Sequence, residues 1–444
     1  MSFATVRNVE SVEAGVGVYC LTWLVMAAGI AFGQIVMKPS AGPHSPTRAV
    51  DAGDCLVETL TFWDGQWYLE IADHGYSYQP DGMSSVAFFP GYPLLVAMVS
   101  KATGVPTALA ALGVSHVFLL GSFVLFFIYA RARENGEDET RAASARRMPI
   151  YALLAFGLFP PTFFLRMAYS ESLFVFLCIL AMYGMKRNWR PWQVAIIVGL
   201  TTAVRATGVA LLLPLALYAW HRWAAEGTAS SAADLANAPA GGGSASRSFL
   251  ARFACPALRG LALAAVALSG LIAYVAYQYS AFGDPLAFAK TQEFWRNRVP
   301  ADLADKTLSL ASWEPLWSAY MPSSGGSVMV FNDRAPGVFS LFYANPLFFT
   351  AAVALTVAGA WKGWLSKYET AFSAGLILIP YVGKGFEMCM ASQGRFVAVV
   401  FPMYIVLGNL LCRLPLAASG AILASFGVYL AIYSAMLAAG YVLI

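Results

Sequence analysis

Charged residues are scarce in this chain of 444 residues. Asp, Glu, Lys and Arg make up 12% of it, whereas an average soluble domain contains about 25%. Hydrophobic residues reach 59%, and apolar runs of roughly 20 residues, enough to cross a hydrocarbon core about 30 Å thick, recur along the whole length. No stretch of about 100 residues remains for a separate soluble domain. This composition excludes an ordinary soluble protein and indicates a polytopic membrane protein.

Several other sequence signals are missing. The six cysteines form no CxxC pair and no metal-ligand spacing, and the net charge of +4 is too small to suggest a nucleic-acid partner. The chain has no glycine-rich phosphate loop, which argues against a nucleotide-binding domain. No small-residue cleavage pattern follows the first apolar run, so we expect that run to be a spanning helix and not a signal peptide.

The apolar runs predict a single all-α membrane domain over residues 1–444, with roughly eleven transmembrane helices. We expect these helices near 14–36, 107–130, 149–165, 169–185, 191–204, 206–220, 259–281, 341–361, 369–382, 396–412 and 415–441.

Lys and Arg collect in loops on one side of this bundle, which marks the cytoplasmic side. The basic segments are 131–147, 186–190, 221–259 and 362–367. The opposite side then holds two large extracytoplasmic loops, 37–106 and 282–340, and we expect any chemistry outside the bilayer to take place there. The Ala-, Gly- and Ser-rich composition within 221–259 predicts a flexible cytoplasmic connection.

The first large loop contains the acidic and aromatic segment FWDGQWYLEIAD at 62–73. Wound as a helix at about 100° per residue, this segment separates Asp64 from the other acids. One face contains Gln66, Glu70 and Asp73, and the opposite face contains Trp67, Tyr68 and Ile71 together with Asp64. A carboxylate among aromatic rings is partly desolvated, which favours a general-base role. Asp64 is therefore the candidate for catalysis.

Two structural explanations compete with that role. Asp is a preferred N-cap residue, so Asp64 could simply cap the helix that follows it. The aromatic residues around it could form an interfacial belt at the membrane surface. Judged by residue types alone, the cap and the belt are the better explanations, and the turn-forming Pro90 and Pro93 change that balance only a little.

The order of motifs along the chain carries a resemblance. W-D-G-x-W-Y-x-x-I-A-x-x-G-Y followed by A-F-F-P-x-Y-P, here Trp63 to Tyr76 and Ala87 to Pro93, resembles the first luminal loop of the PIG-V family, the GPI mannosyltransferase II group and its bacterial relatives. Later blocks resemble that family in the same order. They are PPTFFLRMAYSESLFVFL (160–177), AVRATGVALLLP (203–214), FGDPLAFAKTQEFW (282–295) and SQGRFVAVVFP (392–402).

The resemblance implies a GT-C fold, in which a bundle of helices presents a catalytic carboxylate from its first extracytoplasmic loop. It also implies a polyprenyl or dolichyl phosphate mannose as donor, with Asp64 as the catalytic carboxylate. The residues that we expect to bind substrate are Trp63, Tyr68, Tyr76, Tyr92, Tyr169, Glu171 and Gln292.

Three arginines are candidates for binding the donor phosphate, because a lipid phosphate leaving group requires positive charge. Arg166 either forms a salt bridge with Glu171 that pins two helices or faces the phosphate. Arg205 marks either a broken helix aimed at the site or a snorkelling helix end. We favour Arg205 and Arg395, since the resemblance covers both and neither has an acidic neighbour in sequence.

The second large loop contains KTQEFWRNR, where Gln292 and Trp295 could line a groove for substrate. The preferred explanation for this segment is an amphipathic helix on the membrane surface, with Phe288, Phe294 and Trp295 in lipid. We assign no metal ligands, since Asp64, Asp73 and His74 do not converge on a helix, and metal dependence stays open.

The expected function is transfer of a hexose, which the resemblance implies is mannose, from a polyprenyl phosphate to a glycolipid or glycan acceptor, with inversion. The alternative is a transporter or flippase for a lipid-linked sugar, or a non-catalytic membrane subunit. The concentration of notable polar residues on one side of the bundle favours the enzyme. Eukaryotic members of the family act on GPI intermediates in the endoplasmic reticulum, while the Ala-rich composition favours a bacterial inner membrane with the site facing outward.

Overall fold

The computed structural model describes residues 3–37, 52–133, 142–236, 249–321, 339–441 and 443. Within these ranges the chain forms α-helices and no β-strand. The helices are α1 (Phe3–Ile35), α2 (Ala52–Leu60), α3 (Asp64–His74), α4 (Gly91–Thr103), α5 (Thr107–Arg131), α6 (Ala142–Leu158), α7 (Glu171–Lys186), α8 (Pro191–Val204), α9 (Leu212–Ala236), α10 (Phe249–Ala267), α11 (Ser269–Phe282), α12 (Ala287–Lys290), α13 (Leu303–Ala311), α14 (Glu314–Ser318), α15 (Leu341–Trp361), α16 (Lys367–Pro380), α17 (Gln393–Ala398), α18 (Pro402–Leu411) and α19 (Leu416–Ala438).

Four of the described helices are long and apolar enough to cross a membrane: Val9–Ile35, Thr107–Arg131, Leu341–Trp361 and Leu416–Ala438. Two pairs of consecutive helices, each bent at a short break, could also cross the membrane if each pair forms one span. One joins Arg147–Leu158 to the 3₁₀ turn Pro160–Arg166 at 74°, and the other joins Ala257–Ala267 to Ser269–Phe282 at 62°. The all-α, polytopic prediction is thus confirmed, whereas the number of eleven spans is not.

The long helices expose bulky apolar side chains on their outer faces. Leu24 is 67% exposed, Val117 68% and Trp361 82%. Extensive apolar exposure of this kind is unusual on a soluble monomer and is expected where lipid is the solvent.

The first and last spanning helices pack closely against each other. Gly29 and Gly33 lie four residues apart on α1, and a Cβ atom at either position would overlap the α19 backbone at Ala431 or Ala435. Small residues at this spacing let two helix backbones approach closely, which is a common way to associate helices in lipid.

The stretch expected to be a flexible connection is partly helical. Helix α9 continues through Ala236, and α10 begins at Phe249. Residues 237–248, the rest of that stretch, lie outside the described residues.

The second large loop differs from the expected surface helix. Residues 287–295 form the short helix α12 and a 3₁₀ turn, Thr291–Trp295. The ring of Phe288 packs on Phe89 at 5.5 Å, and that of Trp295 lies 6.2 Å from both Trp67 and Phe88. The expectation of one amphipathic helix is wrong, as is the placement of Phe288 and Trp295 in lipid, because those two rings pack against the first loop instead. Phe294 is 39% exposed.

Candidate functional site

Asp64 is the first residue of α3, and its side chain does not cap the helix. The N-cap residue is Trp63, which has φ 52° and ψ −115°, and no side chain makes a cap hydrogen bond there. A positive φ is rare for a bulky residue and costs about 1–3 kcal/mol, so surrounding contacts must hold this turn in place. The N-cap explanation of Asp64 is therefore wrong.

The faces of α3 follow the predicted helical angle. Gln66, Glu70 and Asp73 are exposed, whereas Tyr68 and Ile71 are buried and Asp64 and Trp67 are half-buried. The acids on the exposed face have local partners. Asp73 accepts a hydrogen bond from the Thr107 hydroxyl at 2.5 Å, and Glu70 lies 3.4 Å from the His74 ring nitrogen.

Arg395 is the direct partner of Asp64. It lies in α17, and its guanidinium donates from Nη1 to Oδ2 of Asp64 and from Nε to Oε1 of Glu171. The guanidinium also lies 4.5 Å from the centre of the Tyr169 ring. Asp64 thus has one carboxylate oxygen held by a buried cation, and its side chain is 28% exposed.

The turn before Arg395 is tightly constrained. Cys389, Met390 and Ser392 all have φ between 50° and 63°. Gly394 donates its N–H to the side-chain oxygen of Asn345 at 2.9 Å, and a Cβ at this glycine would lie 2.7 Å from that oxygen. A side chain at Gly394 would therefore push the Asn345 side chain aside and disturb this hydrogen bond.

Glu171 joins the two favoured arginines. It begins α7, is 1% exposed, and accepts hydrogen bonds through Oε1 from Arg395 and from Nη1 of Arg205, the latter at 2.5 Å. Its Oε2 has no hydrogen-bond partner among the described residues. Neither Arg205 nor Arg395 has an acidic neighbour in sequence, yet both bind this carboxylate in the folded chain.

Arg205 lies at a break between helices. Helix α8 ends at Val204, Arg205 is extended at φ −152° and ψ 143°, and a 3₁₀ turn, Ala206–Leu211, follows. The guanidinium reaches Glu171 and, at 3.3 Å, the hydroxyl of Ser170. This geometry matches the broken helix, and not the snorkelling end, of the two sequence-based explanations.

Tyr68 and Tyr169 line the same cluster. Tyr68 is 4% exposed, and its hydroxyl lies 2.8 Å from the hydroxyl of Ser170. Burial raises the pKa of Tyr68 to about 12, so it remains a neutral hydrogen-bond donor at physiological pH. Tyr169 is buried and donates to the carbonyl of Phe62 at 3.1 Å. Trp63, half-buried, packs against Phe62 at 5.4 Å.

Other predicted site residues have different hydrogen-bond partners, although the ring of Tyr92 lies 5.0 Å from that of Tyr68. Arg166 is fully buried and donates from Nη2 to the Thr22 hydroxyl of α1, so the salt bridge with Glu171 is not formed. Tyr92 is fully buried and donates to the Ala111 carbonyl at 2.9 Å. Tyr76 donates to the Phe88 carbonyl at 2.8 Å. Gln292 is half-buried in the 3₁₀ turn of the second loop.

One cation close to Asp64 was missed from the sequence. Lys384 is half-buried in a π-helix, Tyr381–Gly385, that continues α16. Its charge interacts with those of Asp64, Arg205 and Arg395. The signal that could have revealed it is a charged residue, in YVGKGFE, at the end of an apolar segment, where an unneeded charge is costly.

The cluster brings together a partly exposed carboxylate and several cations. No group of three or more His, Cys, Asp or Glu side chains suited to a metal ion occurs among the residues that the structure describes. The arrangement offers a proton acceptor at Asp64 and positive charge for an anionic group next to it.

Residues 21–233 match the model of a family described as Mannosyltransferase (PIG-V). The chain is 30% identical over 184 residues to GPI alpha-1,6-mannosyltransferase 2 of Homo sapiens, a match that covers 40% of this chain and 36% of the relative. It is 34% identical over 187 residues to the protein of that name from Cricetulus griseus, with 40% and 36% covered. The chain therefore spans little more than a third of the curated relatives it matches.

Among solved structures, the chain is similar to an oligosaccharyltransferase of Archaeoglobus fulgidus. The TM-score is 0.40 at 12% sequence identity, and the match covers 96% of this chain and 55% of that one.

Proposed function

We propose that this chain is a member of the PIG-V mannosyltransferase family, whose model matches residues 21–233, and that it is a membrane glycosyltransferase that transfers mannose. We place its helices in the GT-C class and take a polyprenyl or dolichyl phosphate mannose as its donor. The acceptor is a hydroxyl group of a glycolipid or glycan on the extracytoplasmic face. We assign the protein to a bacterial inner membrane, with the endoplasmic reticulum membrane as the alternative.

The observation that carries this proposal is the placement of Asp64. It lies on the first extracytoplasmic loop, half-buried, with Oδ2 held by Arg395, and no hydrogen bond to its Oδ1 forms within the described part of the chain. A carboxylate fixed through one oxygen is oriented so that the other oxygen can accept a proton.

In the proposed reaction the acceptor hydroxyl attacks the anomeric carbon while its proton passes to Oδ1 of Asp64. The bond between the anomeric carbon and the phosphate oxygen breaks on the opposite side, and its electron pair leaves with the lipid phosphate. Attack opposite the leaving group inverts the anomeric centre. Arg205 and Arg395 offset the negative charge that grows on the phosphate. The rings of Trp63, Tyr68 and Tyr169 shape the sugar pocket beside them.

The test compares two carboxylates on the same helix. Asp64→Asn removes the proposed base, whereas Asp73→Asn changes an exposed acid bound to Thr107. The purified full chain is supplied with polyprenyl phosphate [³H]mannose and with a lipid extract of the host membranes as acceptor. We expect transfer by Asp64→Asn to fall by about 10²–10⁴-fold, the usual contribution of a general base, and transfer by Asp73→Asn to match the wild type.

Equal transfer by wild type and Asp64→Asn would remove Asp64 from the mechanism. Movement of the labelled lipid across vesicles by the wild type, with no glycosidic product, would instead identify a transporter.

A further inference from the structure

The positive charge available to a phosphate in this cluster is smaller than the number of arginines suggests. Asp64 and Glu171 bind Arg395, and Glu171 also binds Arg205. Two carboxylates and two guanidinium groups cancel in net charge. Both arginines are 15% exposed or less, so their charges are already committed to these buried pairs.

Lys384 is a cation next to this cluster that takes no part in these ion pairs. Its ammonium is within electrostatic range of Asp64, Arg205 and Arg395, yet it forms no ion pair with any carboxylate of the described residues. The acid nearest to it in sequence, Glu387, is bound by Arg296 at 3.3 Å and by Lys306 at 3.0 Å. Neither Glu387 nor the buried pairs neutralise Lys384.

The second large loop fixes the segment that carries Lys384. Arg298 donates its backbone N–H to the carbonyl of Glu387 at 3.1 Å and its Nε–H to the carbonyl of Phe386 at 2.7 Å. The Tyr381 hydroxyl donates to the carbonyl of Leu310 at 2.9 Å. A π-helix interrupts regular helical bonding and is frequent at functional sites. The backbone on both sides of Lys384 is therefore held by the second large loop. The Lys384 side chain itself is half-buried.

We propose that Lys384 binds the phosphate of the lipid-linked sugar donor. Its single uncancelled charge matches the one negative charge of a phosphodiester. When the bond to the anomeric carbon breaks, the departing lipid phosphate gains a second negative charge, so the interaction is stronger after bond breaking than before it. This inference rests on the proposed function and adds Lys384 to the positive charge that Arg205 and Arg395 provide there, because Asp64 and Glu171 already offset much of the charge of those two arginines.

The electrostatic surroundings of Lys384 predict how this binding depends on pH. Burial, together with the charges of Arg205 and Arg395, lowers the pKa of Lys384 to about 8, against the opposing effect of Asp64 and Glu387. The free site therefore carries the ammonium below about pH 8 and loses it above that value. Arginine at the same position would stay charged to a much higher pH.

The experiment measures binding separately from turnover. Farnesyl phosphate, a short-chain polyprenyl phosphate, is titrated into the full chain in detergent between pH 6.5 and 9.5. The variants are Lys384→Met and Lys384→Arg, and the control is Lys290→Met, which changes an exposed lysine bound to Asp284 at 2.6 Å. Thermal unfolding of each variant identifies any that fail to fold, and Lys384→Arg provides the conservative replacement if Lys384→Met does.

We expect Lys384→Met to weaken farnesyl phosphate binding by about 10- to 100-fold, as for a lost charge-assisted hydrogen bond. Binding by the wild type should fall above about pH 8, binding by Lys384→Arg should not, and Lys290→Met should match the wild type. Inorganic phosphate and phosphatidylglycerol are tested as competitors and should compete weakly.

Wild-type affinity in a folded Lys384→Met variant would overturn the inference and leave the proposed function intact. If inorganic phosphate or phosphatidylglycerol competes as well as farnesyl phosphate, the site does not recognise a lipid-linked donor. If the wild type binds no farnesyl phosphate at all, the inference fails, and transfer from polyprenyl phosphate mannose still decides the proposed function separately.

Discussion

Arg395 donates a hydrogen bond to Asp64 across 331 positions of sequence. Asp64 begins α3 and Arg395 lies on the short helix α17. The same guanidinium binds Glu171, so three distant segments meet at one side chain. The orientation of the proposed catalytic carboxylate therefore depends on the packing of the whole bundle and not on α3 alone.

Replacing Glu171 with Gln should damage both stability and activity. Among the described residues, the variant leaves Arg205 without a carboxylate partner and Arg395 with Asp64 alone. Breaking a buried ion pair typically costs about 3–5 kcal/mol. Released from Glu171, Arg395 no longer holds Asp64 in a single orientation. We expect lower thermal stability in detergent, and a loss of mannose transfer that exceeds the loss of folded protein.

Glu70→Gln is the matched control, because Glu70 lies on the exposed face of α3 and contacts only His74 at 3.4 Å among the ion pairs of the described residues. Its melting curve and its activity should both match the wild type. A Glu171→Gln variant that melts and reacts like the wild type would show that the arginines do not need this carboxylate.

Sequence alone could separate Asp64 from its neighbours, because helical geometry repeats over a few residues. The exposed Gln66, Glu70 and Asp73 and the buried Tyr68 follow that periodicity as predicted. The partner of Asp64 could not be predicted in this way. The absence of a nearby acid in sequence could not show that Glu171 binds both Arg205 and Arg395, because folding and not sequence proximity brings them together.

The limits of the fold prediction have a similar cause. Apolar runs mark helices reliably because lipid leaves few other ways to satisfy backbone hydrogen bonds. Composition did not show that Trp295 packs on Trp67, since an aromatic residue suits a protein contact as well as lipid. Lys384 was missed because its role depends on which carboxylates the arginines already occupy.

The aromatic contact between the two large loops should be needed for activity. Trp295 packs on Trp67, which lies one turn after Asp64 on α3, and on Phe88. Trp295→Ala removes two ring contacts worth about 0.5–1.5 kcal/mol each beyond the area they bury. We expect a higher KM for the lipid-linked donor and faster proteolysis of the second loop. Phe294→Ala, which changes a 39% exposed neighbour, is the control and should have neither effect. Equal proteolysis of the two variants would contradict a docking role for Trp295.

The ion pair between Arg298 and Glu314 should make the second loop sensitive to acid. Burial acts to raise the pKa of Glu314, but hydrogen bonds of 2.9 and 2.5 Å from Arg298 and the charge of that arginine outweigh it, and the pKa lies below its ordinary value of 4.5. A carboxylate with a lowered folded pKa stabilises the fold above its unfolded pKa, and that contribution is lost as the pH falls through the folded value.

The ion pair should therefore contribute its full stabilisation of the fold at neutral pH. That stabilisation should decline as the pH falls below about 4.5. Thermal unfolding is compared between wild type and Arg298→Met from pH 3.5 to 7. The difference between their melting temperatures should be present at pH 7 and shrink in acid, which separates this pair from the other carboxylates that protonate. A difference that stays constant with pH would assign the effect of the substitution to the packing of Arg298 on Phe386, whose ring centre lies 3.8 Å away.

A second buried glutamate offers a test of whether stability and catalysis are separable. Glu369, at the start of α16, is fully buried and accepts hydrogen bonds from Arg133, from the Tyr129 hydroxyl at 2.6 Å and from the Ser366 N–H at 2.7 Å. Lys384 follows the opposite end of α16, and 14 residues of helix span about 20 Å. Glu369→Gln should thus destabilise the bundle far from the proposed site.

We expect this variant to lose about 3–5 kcal/mol of stability, as for other broken buried ion pairs, and to retain the wild-type kcat per folded molecule. The double variant Glu369→Gln, Arg133→Met should recover part of the stability, because it removes the unpaired buried cation. The thermal unfolding curve and the single-turnover rate are measured on the same preparation. Glu171→Gln should lower both the stability and kcat, whereas Glu369→Gln should lower only the stability. A fall in kcat for Glu369→Gln would mean that the end of α16 at Glu369 is coupled to the geometry around Asp64.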